Sequence, residues 1–195
     1  MIRVGCVLLC SSCAEVGGVP EARREAGQNR AEQSAGPRQR LDRAEEHRVS
    51  SGEGQIARMT KDEGKARSTF TVARTEQAKI VQAQPNDSRA LCALGLIDAG
   101  LGHKEEALRE GRRAVELLPI EKDPVLGVSL VEHLAMIAAW VGDKDLAFEQ
   151  LESTIRLPSH LSYGGLKLFP WWDPLRSDPR FEKLVEEAKK PVALK

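Results

Sequence analysis

The reading of this chain turns on two stretches, SRALCALGLIDAGLGHKEEALREGRRAVELLP (Ser88 to Pro119) and VSLVEHLAMIAAWVGDKDLAFEQLESTIRLP (Val128 to Pro158). Laid on one another at an offset of 40 residues, they place Leu94 on Leu134, Gly95 on Ala135, Ile97 on Ile137, Gly102 on Gly142, Lys104 on Lys144, Ala107 on Ala147 and Val115 on Ile155. In each, an apolar helical pattern runs into glycine, restarts after a charged turn and stops at proline. The pattern predicts helix, tight turn, helix, stated twice. Gly102 and Gly142 suit the left-handed conformation that closes a helix, and Asp143 suits the cap of the helix that follows. Small residues at Gly95 and Ala107, and at Ala135 and Ala147, let the paired helices approach closely, so enlarging either alanine should wedge a pair apart.

Outside these stretches the chain changes character. The first 58 residues hold nine arginines and no lysine, and every lysine lies at Lys61 or later. That shift marks a boundary near Met59. Between Glu15 and Gly54 apolar periodicity is almost absent, so this text buries too little surface to offset ordering entropy and is expected to be disordered. Asp62 to Gln84 reads as one long helix ending at Pro85, with Ala66, Phe70, Ala73, Gln77, Ile80 and Val81 along one side. A helix to cover that side is not recognisable in His47 to Arg58, which leaves the face partly uncovered unless the tail or another chain, such as a second copy, covers it. Downstream, Tyr163 to Phe169 reads as a short helix, and Asp178 with Pro179 makes a sound start for an amphipathic helix over Glu182 to Lys190.

The Leu-Gly, Ala, Ala and Pro pattern at Leu94, Gly95, Ala107, Ala114 and Pro119 resembles the tetratricopeptide repeat. The second unit carries it at Leu134, Ala135, Ala147 and Pro158, with Thr154 in place of the second alanine. Two departures stand out. Gly111 sits where the family places a bulky residue, and a mid-helix glycine costs about 1 kcal/mol relative to alanine, which predicts a soft first unit. The period is 40, against ~34 in the family; the surplus fits in Ile120 to Gly127, where Asp123 suits a cap and Pro124 a helix start. The segment from Trp171-Trp172-Asp173-Pro174 through Phe181 resembles the ending of tetratricopeptide arrays at the C-terminus of bacterial signalling proteins, including certain serine/threonine kinases, winged-helix regulators and cyclases.

The resemblance implies an all-α fold of stacked antiparallel helical hairpins, an α-solenoid, behind a disordered N-terminal segment. The expected organisation is a low-order segment over 1–58 with a weak signal at 1–13, then a repeat domain over 59–190. Within it fall a long helix at 62–84, repeats at 88–119 and 128–158, and a capping segment at 160–190, where Trp171 and Trp172 seal the end.

Function is read partly by exclusion. Twenty-nine basic residues balance 29 acidic ones, so no net field holds the chain against nucleic acid. No apolar run approaches the ~20 residues of a membrane-spanning helix. His103, His133 and His160 lack the partners of a helical zinc site, and no nucleophile elbow or phosphate-cradling loop is present. Arg109, Arg112 and Arg113 share their helix with Glu105, Glu106, Glu110 and Glu116, which reads as a self-paired face. Cys92 reads as a small buried hydrophobe.

Cys6, Cys10 and Cys13 have the C-x3-C-x2-C spacing that is similar to radical S-adenosylmethionine enzymes, though Ser12 stands where that family has an aromatic residue. An iron–sulfur enzyme built on these cysteines is the remote alternative. Arg3, the apolar Val4 to Leu9 and Cys13 also resemble a short lipoprotein signal, which gives a lipid-anchored periplasmic adaptor as the second alternative. The favoured expectation is a cytoplasmic, noncatalytic scaffold module with no cofactor and no metal, binding an unidentified protein or peptide. The family's ligands lie along the first helix of each repeat. By position that surface presents Arg89, Cys92, Leu96 and Ala99, then Ser129, Glu132, Met136, Ala139 and Trp140. Cys92 and Leu96 occupy places where some family members clamp a terminal carboxylate with asparagine and lysine, so that clamp is not expected.

Overall fold

The computed structural model describes residues 52–157 and 161–190, all within one compact unit, Arg43–Lys195. The expected disorder over 15–51, the weak signal, Cys6, Cys10, Cys13, Pro158 and His160 lie outside the described residues. Within them the chain is entirely helix and turn, without a strand. Residues 52–59 form α1. There follow α2 (Glu63–Ala83), α3 (Ser88–Leu101), α4 (Lys104–Leu117), α5 (Leu126–Trp140), α6 (Lys144–Thr154), α7 (Tyr163–Leu168), a 3-10 turn (Pro170–Leu175) and α8 (Pro179–Ala188).

Local chemistry explains most of the boundaries. Gly102 (φ 83°) and Gly142 (φ 81°) both take the left-handed conformation, where an L side chain would crowd its own carbonyl. Around them the same pair of bonds forms twice. Gly102 N–H donates to the Ala99 carbonyl at 3.2 Å and His103 N–H to Asp98 at 2.9 Å; Gly142 N–H donates to Ala139 at 3.4 Å and Asp143 N–H to Ala138 at 2.9 Å. These bonds satisfy carbonyls that a helix end leaves bare and turn the chain back at once. Asp143 Oδ1 then accepts from Leu146 N–H at 3.2 Å. At the start of α3, Asp87 Oδ1 accepts from Arg89 and Ala90 N–H at 2.9 and 3.2 Å. Asp123 caps as expected, accepting from Val125 and Leu126 N–H at 3.0 and 2.9 Å, but α5 begins at Leu126 rather than at Pro124.

Packing follows from where the small residues stand. A Cβ on Gly95 would lie 3.1 Å from the Ala107 carbonyl oxygen and 3.2 Å from Gly111 N, so α3 and α4 meet backbone to backbone. Ala107, Ala135 and Ala147 are wholly buried, as close crossing demands. Gly111 has a different explanation from softness. A Cβ there would stand 2.9 Å from Leu134 Cδ1 and 3.0 Å from Ile137 Cδ1, so two α5 side chains already occupy its space.

The face of α2 has a cover after all. Phe70, 1% exposed, lies between Gly54 of α1 and Gly100 of α3, and Ala57 of α1 is buried in the same cluster with Ala66, Ala73 and Ile97. Residues 52–58, expected to belong to the low-order segment, are thus helical and packed on the fold, and the compact unit begins upstream of the expected boundary near Met59. Only scattered apolar groups remain outside on these two helices, chiefly Ile56 and Val72. At the other end, Leu166, Trp172, Leu175, Phe181, Leu184 and Val185 join α5 and α6 in the largest core cluster. Asp178 caps α8 with Pro179 at its first position, as the sequence predicts.

Candidate functional site

A groove of about 210 Å³ runs between α3 and α5. Arg89, Cys92, Ala93 and Leu96 recur on one face of α3, and Leu126, Ser129, Leu130 and His133 on one face of α5, because residues three and four apart stack along a helix. The wall is mostly apolar. Leu126 and its neighbour Val125 carry that character outward onto an exposed rim.

Of the positions expected to bind a partner, Arg89, Cys92, Leu96 and Ser129 come together in this groove. Glu132, Met136 and Trp140 do not line it. Consecutive helical residues differ by about 100° in direction, so α5 turns His133 toward α3 and Glu132 away. Glu132 is nearly buried, and its Oε1 has no hydrogen-bond partner. Met136 packs against the main core. Trp140 stands two turns beyond His133 and is engaged on two sides: the Arg58 guanidinium lies 4.6 Å above its ring, and its Nε1–H donates to the Trp171 carbonyl at 3.1 Å. Ala99 and Ala139 are buried in the core.

Each groove residue has a definite chemical state. The Arg89 guanidinium forms no ion pair among the described residues, whereas Arg109 and Arg113 face Glu110 and Glu116 at 3.6 and 3.3 Å. Burial pushes the Cys92 thiol up to about 12, which keeps it protonated and unreactive. His133 Nδ1 lies 2.6 Å from the Ser129 carbonyl oxygen. A carbonyl only accepts, so Nδ1 is the donor in this contact. The sequence excludes a zinc site at His133 and leaves it a surface or half-buried side chain; it is half-buried and lines the groove. The signal for its real place was the Leu126, Leu130, His133 spacing on one helical stripe.

Among the described residues, no three His, Cys, Asp or Glu side chains group to hold a metal ion, and no helix is long and apolar enough to cross a membrane. No protein-family model, curated protein or solved structure matches the chain.

Proposed function

We propose that this chain is a noncatalytic interaction module of stacked tetratricopeptide-like repeats whose α3–α5 groove holds an extended peptide, one apolar side chain in the slot and an acidic one beside it. The observation that carries the reading is the pairing of an apolar wall with the unpaired guanidinium of Arg89. A free cation at the rim of an apolar slot favours an anionic neighbour for whatever apolar group enters. The groove, at about 210 Å³, is smaller than the ~300–1,000 Å³ of most small-molecule sites and suits single side chains. The matched helix closures at Gly102 and Gly142 support the repeat reading.

The test is selection of a displayed random peptide library on the full chain, followed by titration of enriched peptides in solution. Apolar-acidic peptides should be enriched. Arg89→Glu, which reverses an exposed charge, and Ser129→Trp, which fills the slot, should each weaken binding at least tenfold without moving the thermal midpoint. Peptides that bind both variants as well as the parent, or a selection that enriches no apolar-acidic sequence, would overturn the reading.

A further inference from the structure

The seam between α3 and α4 holds a charge cluster that the groove does not use. Asp98, on α3, is completely buried. Its Oδ1 accepts from Arg74 Nε of α2 at 2.5 Å and lies 2.8 Å from His103 Nδ1 in the turn. Its Oδ2 is buried with no partner. Across the seam, Glu110 of α4 is 12% exposed; Arg109 stands 3.6 Å from its Oε1, and its Oε2 is also buried with no partner.

We propose that Asp98 and Glu110 share one proton across the α3–α4 seam, and that its loss loosens the first hairpin. Two ionised carboxylates can only accept, so neither bare oxygen could satisfy the other. One proton makes one of them a donor and completes both. An orphaned buried oxygen costs on the scale of a lost hydrogen bond, and two close anions add repulsion to that. The dyad logic is general: like charges at close range do not both ionise, and the protons belong to the pair.

The surrounding charges do not remove the need for that proton. Arg74 from α2 and His103 from the turn are both spent on Asp98 Oδ1. On α4 itself, Arg109 reaches only Oε1, and Glu106 adds a further negative charge that acts on Arg74. From α5, Leu134 and Ile137 press apolar methyls against Gly111, the residue next to Glu110. Burial first, then the facing Asp98 carboxyl, push Glu110 up to about 7 against the pull of Arg109 and Arg74.

The direction of the pH effect follows. The folded value lies above the ordinary 4.5, so the folded chain holds a proton that the unfolded chain has released. This contribution is complete below about 4.5 and is lost as pH rises through about 7. A lone group shifted this far would change the folding constant by roughly one to two orders of magnitude once solvent screening at its partly open edge is allowed for.

The experiment follows thermal unfolding of the full chain from pH 5 to 8.5, beside Glu110→Gln. Glutamine keeps a donor for Asp98 Oδ2 and cannot ionise. The parent midpoint should fall more steeply across this range than that of the variant. Parallel curves would overturn the proposal. Carboxyl carbon resonances of the parent supply a test without any variant: one carboxyl titrating near neutrality is expected, and completion of every carboxyl titration by pH 5.5 would overturn it.

Discussion

Replacing Gly100 by alanine would put a methyl carbon 2.5 Å from Phe70 Cε2, with Cδ2 and Cζ at 2.7 and 2.8 Å. Ordinary contact begins near 3.4 Å, so the ring would have to retreat by roughly 0.9 Å. It has nowhere to go. Along its other edge, the position of a Cβ on Gly54 lies only 2.8 Å from Cδ1 and Cε1, so α1 already rests on the ring. Overpacking of this kind costs about 1–3 kcal/mol. Against it stands the helix preference of alanine over glycine, about 1 kcal/mol. A clash this close belongs in the upper part of that range, about 2–3 kcal/mol, so packing should win with a net loss of about 1–2 kcal/mol. For a chain of this size that lowers the midpoint by roughly 2–8 °C. The assay is denaturant unfolding of Gly100→Ala, Phe70→Leu and the double variant, which together give a coupling energy. The double variant should be more stable than the sum of the singles implies, because leucine vacates the space that the methyl needs. The sign is decisive: a Gly100→Ala protein as stable as the parent, or more so, would mean that backbone propensity alone acts at this position and that Phe70 is not clamped.

Two further outcomes are expected. Gly102→Ala meets no atom within 4 Å, so its cost is purely the left-handed backbone, about 1–2 kcal/mol, and Gly142→Ala should cost the same by urea titration; a neutral result at either would refute the closure described there. Cys92 should resist alkylation at pH 8 in the folded chain and react after denaturation, as read by peptide mass mapping. Because its folded value is raised from 9.0 to about 12, its contribution to stability is intact below about 9 and disappears only as pH climbs through about 12.

What could be read from the residues depended on how local the cause was. Gly102, Gly142, Asp143 and Asp178 act through their own turn of chain, and each stands where its chemistry predicts. Four groove residues, Arg89, Cys92, Leu96 and Ser129, were reached through the tetratricopeptide resemblance, which points to the first helix of each repeat. Glu132, Met136 and Trp140, reached the same way, lie off the groove because position along a helix does not say how far that helix is rotated toward its neighbour. The covering helix α1 escaped notice because its inward residues are Gly54 and Ala57, which carry almost no hydrophobic signal, while Ile56 points outward. Gly111 looked like a flaw when judged by propensity, yet the methyls that fill its space come from a helix more than 20 residues further on. Asp98 and Glu110 look like ordinary helical charges until the turn at Gly102 folds one onto the other.

Trp140 meets Arg58 on one side and Trp171 on the other, so a single indole ties the earliest described helix to the closing segment. Modules built by linear repetition can fray from one end while the rest persists, since each unit leans only on the next. Here both margins of the described helices are fastened to a shared keystone, and melting at either removes support from the opposite one. These helices should therefore come apart in one step, and tryptophan emission should report it as a single transition.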